Sequence, residues 1–337
     1  MSAALIVKAI APGKIILSGE YAVVFGRPAL VSAIARFAAA EVRPRDDPCI
    51  EMITQFGRAR YRPADLRRRL ADARARFDRF LQGSLPITEV VADKAEFVAL
   101  GWPLLNEQFD LPSGVSLHVV SELPPGSGMG SSAAVATAAL HALAGWGGRR
   151  LDAETCYLLA LDLERFQHGY PSGVDPFVAS HGGLIRYQKD VDPVELHAPK
   201  SSFHLVHTGP PESTTGECLD QVRRAFGRSS IWDAFATACR RIESALADGD
   251  ADELREGVRA NHRLLCQIGV VPDDVAAWIA SVEAGGGAAK ICGAGSVRGA
   301  GGGIVWVVDD IPNSLIQAPG YMRLDVRGRR NGAQLID

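Results

Sequence analysis

The stretch Leu123-Pro124-Pro125-Gly126-Ser127-Gly128-Met129-Gly130-Ser131-Ser132-Ala133-Ala134 is the part of this sequence that says most about its fold. Its glycines can adopt backbone angles that turn N–H groups toward one point. The small residues from Val135 to Leu143 predict a helix directly behind it, and the positive end of a helix dipole attracts anions. The stretch therefore predicts a phosphate-binding loop, in which Ser131 and Ser132 could cap the helix, bind phosphate or ligate a metal.

Two common phosphate-binding loops do not match this stretch. A Walker loop would place a lysine between the glycines and the serine pair, and none is present. A dinucleotide-binding loop would be followed by an acidic residue after a second strand, and none lies at the usual distance. An ordinary glycine-rich turn capped by serine would carry similar residues, so the loop taken alone leaves that interpretation open.

The composition narrows the class of protein. A chain of 337 residues with 47% hydrophobic content can form two adjoining cores, so we expect two domains. The net charge of −3 argues against a nucleic-acid-binding surface or a polybasic membrane anchor, which leaves small molecules as the expected partners. The six cysteines lack the C-x-x-C spacing of zinc sites and show no disulfide framework.

The chain in order predicts a mixture of helices and strands. The N-terminus lacks a signal-peptide pattern, and no apolar run reaches the roughly 18 residues of a membrane span, so we expect a cytoplasmic protein. An Arg-rich amphipathic helix is predicted from Arg58 to Gln82, with its cationic face either solvated or part of a lid. A strand is predicted from Val115 to Val120 and a long helix from Leu151 to His168. The irregular segment from Pro193 to Lys200 is predicted to cross between the two domains.

Three segments resemble, in the expected order, the motifs of the GHMP small-molecule kinases, a family that phosphorylates galactose, homoserine, mevalonate and phosphomevalonate. The phosphate-binding loop resembles the central motif. Ala-Pro-Gly-Lys-x-x-Leu-x-Gly-Glu-Tyr-Ala-Val-Val-x-Gly, from Ala11 to Gly26, resembles the first motif, and Lys-Ile-Cys-Gly-Ala-Gly, from Lys290 to Gly295, resembles the third. Without this resemblance, Lys14 would be interpreted as a solvent-facing strand residue and Asp175 as a helix cap.

A fourth segment indicates the branch of the family. Glu-Arg-x-x-His-Gly-x-Pro-Ser-Gly-Val-Asp, from Glu164 to Asp175, is followed by Gly-Gly-Leu-x-Arg-Tyr-Gln and resembles the mevalonate kinases more closely than other branches. Tyr21 differs, because many mevalonate kinases have histidine there and tyrosine is more usual in phosphomevalonate kinases. Phosphorylation of phosphomevalonate or a sugar therefore stays open, as does a non-catalytic sensor that binds a ligand on the same fold.

The resemblance implies phosphorylation of the C5 hydroxyl of (R)-mevalonate with ATP and Mg²⁺. It implies that Asp175 accepts or orients the proton of the attacking hydroxyl and that Lys14 stabilises the reacting oxygens. Ser132 and Glu164 would bind the metal. ATP would be held by Pro125, Gly126, Ser127, Gly128, Met129, Gly130, Ser131 and Ser132. The acceptor would lie against Lys14, Glu20, Tyr21, Asp175, Thr215, Gly293, Ala294 and Gly295. Glu20 could support the region of the nucleophile or form an exposed ion pair.

The fold implied by the resemblance is α+β, with two domains and the active site between them. Residues 1–195 would form an N-terminal ATP-binding domain like ribosomal protein S5 domain 2, with left-handed βαβ character. Residues 196–337 would form a C-terminal domain that is ferredoxin-like. The oligomeric state stays open, a homodimer being one arrangement that we consider.

Overall fold

Two long strands form the centre of the first sheet in the computed structural model, which describes residues 6–55, 57–196, 202–308 and 320–336. They are β1 (Val7–Ser18) and β2 (Ala29–Pro44), paired antiparallel. The other strands of this sheet are β3 (Ile50–Thr54), β4 (Gly57–Tyr61), β5 (Val115–Ser121), β6 (Leu184–Gln188), β7 (Val191–Leu196) and β12 (Gln334–Ile336). The order is β12-β1-β2-β5-β3-β4, and β6 pairs with β2 and with β7. All pairs are antiparallel except β3 with β5, which is parallel.

Six helices of the described chain are associated with this sheet, and one of them is buried along most of its length. They are α1 (Pro63–Leu81), α2 (Lys94–Ala99), α3 (Gly101–Asn106), α4 (Ser131–Trp146), α5 (Ala153–His168) and α6 (Val174–His181). The buried helix is α4, whose alanines let its backbone lie close to β1 and β2. At Gly145 the approach is close enough that a Cβ would lie 2.9 Å from side-chain carbons of Val7 and Leu335. Helix α4 thereby fixes the position of the loop that precedes it.

The second sheet is antiparallel and lies in the C-terminal half of the chain. Its order is β11 (Met322–Arg327), β8 (Ser202–His207), β10 (Ile304–Val307) and β9 (Ala289–Ile291). The helices of this half are α7 (Thr215–Phe226), α8 (Ile231–Asp248), α9 (Ala251–Gln267) and α10 (Asp273–Ala284). Their apolar faces are buried in a core that includes Phe235, Leu265 and Ile279.

Most of the predicted elements are confirmed, and two differ from the structure in part. The segment from Arg58 to Tyr61 belongs to β4 rather than to the helix, because it pairs with β3 and the helix begins at Pro63. The predicted irregular crossing overlaps β7, an exposed edge strand that accommodates Pro193 because one side needs no hydrogen bonds. The remainder of that crossing, 197–200, lies outside the described residues. Two sheets with flanking helices confirm the predicted α+β class.

The described helices include none that combines the length and the apolar character needed to cross a membrane.

Candidate active site

The phosphate-binding loop has the backbone that its glycines predicted. Gly126, Gly128 and Gly130 have φ angles of 73°, 85° and 71°, a region that L side chains rarely adopt. Gly130 is the N-cap of α4, and the first N–H groups of a helix have no carbonyl partner within the helix. The loop therefore presents N–H groups and the positive end of α4 at one place, which is the arrangement that binds phosphate.

The side chains of the loop mostly hold the loop itself. The Ser127 hydroxyl donates to the carbonyl oxygen of Pro124 at 2.7 Å, and the Met129 side chain is buried in the core. Ser131 is partly buried, with its hydroxyl oxygen 3.4 Å from that of Ser121. Ser132 is half-buried in the first turn of α4. Backbone N–H groups and Ser132 are therefore the groups best placed for a ligand.

Lys14 and Asp175 lie together beside this loop, as predicted. Lys14 Nζ is 3.1 Å from Asp175 Oδ1, and the two side chains are 5% and 27% exposed. The β1–β2 register shifts between Pro12 and Gly13, just before Lys14, and the Lys14 amide donates to Met129 O of the loop at 3.0 Å. At Gly130 a Cβ would lie 3.0 Å from Lys14 Cγ and 3.5 Å from Asp175 Oδ2. The cation, the carboxylate and the loop thus meet at one point.

Asp175 is held by a turn that two tyrosines support. It lies in the first turn of α6, after the N-cap Gly173, whose φ is 85°. The Tyr187 hydroxyl donates to the carbonyl oxygen of Ser172 at 3.0 Å. A Cβ on Gly173 would lie 2.8 Å from the Tyr187 hydroxyl and 3.0 Å from that of Tyr157. Sequence reasoning missed both tyrosines, although Tyr187 falls in the quoted Gly-Gly-Leu-x-Arg-Tyr-Gln segment.

Glu164 is a buried carboxylate next to this pair. Burial raises the pKa of Glu164 well above its usual range; the negative charge of Asp175 raises it further and the positive charge of Lys14 lowers it. Its Oε2 atom is buried and makes no hydrogen bond within the described residues. A buried oxygen without a donor beside a second carboxylate is a suitable ligand for a divalent cation, because the cation would replace the missing donor. The residues present therefore fit a magnesium ion.

Glu20 and Tyr21 face the C-terminal half of the chain instead of an open cleft. Glu20 is buried in an ion pair with Lys290, and its second oxygen accepts from Asn261 Nδ2 at 3.4 Å. The Tyr21 hydroxyl donates to the carbonyl oxygen of Ala294, and burial raises the pKa of Tyr21. Their groups thus join the first motif to the third. The ion pair of Glu20 is buried, so the alternative of an exposed pair is wrong, and support of the nucleophile region stays a prediction.

The other predicted acceptor residues are distributed between the loop and its surroundings. Gly293 packs on the loop, and a Cβ at that position would lie 2.9 Å from Gly128 Cα. Gly295 has a φ of 63° and leaves no room for a side chain, since a Cβ would lie 2.0 Å from Val270 O. Thr215 is exposed at the first position of α7, after a capping box formed by Thr214 and Glu217. The structure therefore brings Gly293 to the phosphate loop and leaves Thr215 at the surface.

Comparison with known proteins agrees with this arrangement. Residues 96–183 match the N-terminal domain of the GHMP kinases, and residues 242–303 match the GHMP kinases C-terminal domain. The mevalonate kinase of Archaeoglobus fulgidus is 32% identical over 299 residues, covering 88% of this chain and 90% of the relative. The mevalonate kinase of Thermococcus sibiricus is 30% identical, with 98% of each chain covered.

Solved structures share the fold. The Methanococcus jannaschii mevalonate kinase gives a TM-score of 0.77 at 17% identity, with 97% of this chain and 99% of that chain covered. The L. major mevalonate kinase in complex with R-mevalonate gives 0.68 at 23% identity, with 96% of each chain covered. The Lactococcus lactis galactokinase gives 0.74 at 15% identity, with 98% of this chain and 95% of that chain covered, so fold alone does not separate the branches. The solved structures show the shared fold, and the sequence relatives show that the chain belongs to the GHMP kinase family and is an ATP-dependent phosphotransferase similar to mevalonate kinases.

Proposed function

We propose that this protein transfers the γ-phosphate of ATP to the C5 hydroxyl of (R)-mevalonate, giving 5-phosphomevalonate for isoprenoid precursor synthesis. The observation that carries the proposal is the pair of Lys14 and Asp175, 3.1 Å apart beside Gly130 of the phosphate-binding loop. Phosphoryl transfer requires alignment of the reactants and neutralisation of negative charge, and the three groups at this point supply both. The sequence relatives and the R-mevalonate complex of one structural neighbour support mevalonate as the acceptor.

Each group has a role that follows from its position. The backbone N–H groups from Gly126 to Ser132 bind the β- and γ-phosphates at the N-terminal end of α4. Asp175 accepts the proton of the attacking hydroxyl or orients that hydroxyl toward the phosphorus. Lys14 supplies positive charge to the transferring phosphoryl group and to the acceptor oxygen. Because Lys14 is almost fully buried, its charge is screened little by solvent.

Ser132 and Glu164 are the residues that we propose to hold Mg²⁺ together with the phosphates of ATP. Mg²⁺ is commonly bound by one or two protein oxygens plus phosphate oxygens. The described residues contain no group of three or more acidic, histidine or cysteine side chains positioned for a metal. A bound Mg²⁺ would neutralise phosphate charge, and Glu164 would then be ionised.

The carboxylate of mevalonate is proposed to lie toward polar groups near Tyr21 and the Thr215 loop. Tyr21 contributes by fixing the backbone of Ala294, because its hydroxyl donates to that carbonyl.

We propose a division of the chain into two domains between residues 195 and 196, and a cytoplasmic location. A homodimer stays a prediction. The division falls inside β7, one residue before that strand ends, and β12 crosses it by pairing with β1.

A coupled assay of ADP release with a panel of alcohols tests the function. The panel contains mevalonate, phosphomevalonate, galactose and homoserine, each with ATP and varied Mg²⁺. We expect turnover with mevalonate, dependent on Mg²⁺, and little with the other alcohols. Turnover of phosphomevalonate but not of mevalonate would instead assign the protein to the neighbouring branch.

Asp175→Asn is the matched variant, because it keeps the size of the side chain and removes its charge. We expect kcat to fall by about 10³-fold, with ATP affinity nearly unchanged, since the loop binds the nucleotide. ATP binding is measured by calorimetry on the same preparation. A variant with the wild-type rate would contradict the role of Asp175.

A further inference from the structure

A fully buried charge pair joins the two halves of the molecule below the active site. The side chains of Lys290, on β9, and Glu20, after β1, are 0% and 1% exposed and form an ion pair across 270 residues of sequence. Lys290 Nζ also donates to the carbonyl oxygen of Ile16 at 3.0 Å. Asn261, on α9, donates to Glu20 and accepts from the Ser18 hydroxyl at 2.6 Å. We call these four side chains the Glu20–Lys290 network.

On β1, the network contacts the strand close to Lys14. Ile16, which accepts from Lys290, lies two residues after Lys14 on β1. Lys14 and Ile16 both pair with β2, opposite Ala33 and Val31, so this part of β1 is held as one extended segment. The position of Lys14 therefore depends on where Lys290 holds β1.

The other side of the network leads to the phosphate-binding loop. Cys292 lies two residues after Lys290, and its carbonyl oxygen would be 2.6 Å from a Cβ on Gly128. The neighbouring strand β10 also holds the loop, because the amide of Ile304 donates to Ser127 O at 3.2 Å. The loop thus rests on the two strands that Lys290 connects to β1.

Stability alone does not explain a charge pair at this place. Removing two charges from water costs several kcal/mol, and apolar side chains of similar size commonly give equal or greater stability. A charge pair differs from an apolar contact in being directional, since it fixes specific atoms with respect to one another. The network has this directionality between the two parts of the site that must be aligned.

We propose that Glu20 and Lys290 are positioning residues, which hold Lys14 and the phosphate-binding loop at the separation that phosphoryl transfer requires. This inference rests on the proposed function of the Lys14 and Asp175 site. It also gives Glu20 a role that needs no contact with the acceptor.

The test compares single variants with a double variant that replaces both charges. Lys290→Met and Glu20→Leu each leave a buried charge without a partner and should lower Tm by roughly 10 °C. The double variant leaves no unpaired charge, so its Tm should return to within about 3 °C of wild type. Its kcat should still be about 10- to 100-fold below wild type, with KM for ATP changed less than about 3-fold, because the loop is intact but misaligned.

The double variant decides between positioning and stability. Wild-type kcat together with wild-type Tm would show that the network only stabilises the fold and would overturn the proposal. Should the double variant fail to fold, Ser18→Ala removes one hydroxyl at the edge of the network. We expect it to fold and to lose kcat by about 3- to 10-fold, and an unchanged kcat would equally count against positioning.

Glu51→Gln is the matched control for general destabilisation. Glu51 is buried on β3, in the first sheet but outside the candidate active site. Its carboxylate oxygens form ion pairs with Arg45 and Arg58, at 2.7 Å each. It should lower Tm and leave the kcat of the folded enzyme unchanged. The proposed function is judged separately, on wild-type turnover of mevalonate, and the variants are compared on whichever alcohol the wild type phosphorylates.

Discussion

The pKa of a titratable side chain in this protein depends on how completely the fold buries it. Lys14 and Asp175 form an ion pair in which the Asp175 side chain is partly exposed. Glu164 is buried, and its Oε2 atom has no hydrogen-bond donor among the described residues. His141, on α4, is also buried, and its Nε2 has no hydrogen-bond partner among the described residues. Its charged form is the protonated one, whereas the charged form of Glu164 is the deprotonated one. Burial therefore acts in opposite directions on the pKa values of Glu164 and His141.

The prediction at this scale concerns His141 and acid stability. Burial lowers the pKa of His141 to about 4 from 6.5, so the unfolded chain binds a proton that the folded protein does not. The corresponding stability is present above pH 6.5 and is lost as the pH falls toward 4. Between pH 7 and pH 5 this histidine should lower the free energy of unfolding by on the order of 2 kcal/mol. Urea unfolding across this pH range measures it.

His141→Leu should make the pH dependence shallower by that amount, while leaving a remaining slope. The remainder comes partly from His262, whose pKa is also lowered to about 4, chiefly by burial and further by Lys290. His118→Gln is the control, because His118 is exposed on β5 and should leave the slope unchanged. Parallel curves for wild type and His141→Leu would contradict the prediction.

At the scale of elements, the phosphate-binding loop is shaped by its neighbours as well as by its own glycines. Gly126 and Gly128 both have positive φ, but they have different surroundings. A Cβ on Gly126 would meet nothing within 4 Å, whereas one on Gly128 would lie 2.6 Å from the carbonyl oxygen of Cys292. The first glycine is needed only for its backbone angle, and the second also for close packing on the third motif.

Alanine variants should separate these two requirements. Gly126→Ala and Gly128→Ala each force a side chain into left-handed backbone, at a cost of about 1 kcal/mol. Gly128→Ala must in addition move the loop from Cys292, so we expect a further loss of about 2 kcal/mol and a KM for ATP raised about 10-fold. Thermal unfolding and steady-state kinetics measure both effects. Equal destabilisation by the two variants would show that packing on the third motif contributes little.

The sequence predicted the elements that carry a strong local pattern, and it missed those that depend on distant partners. Helices α4 and α5 were predicted because small or apolar residues recur at helical spacing. The strand β9, with three residues, has too little pattern to be recognised and exists because β10 pairs with it. Asp175 and Lys14 were found through their motifs, whereas Asn261 lies in an ordinary amphipathic helix and no local signal marks it.

On the scale of the whole molecule, the two halves are connected by more than the link between β7 and β8. The Glu20–Lys290 network forms one connection, and the end of the chain forms another. Residues 328–336 return to the N-terminal half, where the Arg329 amide donates to Ala33 O of β2 at 2.8 Å and the Ala333 amide donates to Ala179 O of α6 at 2.9 Å. The first sheet therefore contains strands from both sides of the proposed division at residue 195, whereas the second sheet is formed from the C-terminal half alone.

A chain that ends at Arg327 tests how much the first sheet depends on this return. The truncation removes β12 and exposes the edge of β1, while retaining β11 and every proposed site residue. We expect Tm to fall by roughly 5 to 10 °C, because Leu335 no longer packs beside Gly145 of α4 and the carbonyl oxygens of Ala33 and Ala179 lose their hydrogen bonds from Arg329 and Ala333.

Ile336→Thr is the control for the truncation, because Ile336 is 37% exposed and its backbone pairing with Lys8 is retained. It should change Tm by no more than about 2 °C, since surface substitutions of this kind have small effects. Because the truncated chain contains every proposed site residue, its kcat and KM are compared with those of the wild type at a temperature where both are folded. A truncated protein with the wild-type Tm would contradict the prediction and show that β12 contributes little to the stability of the first sheet.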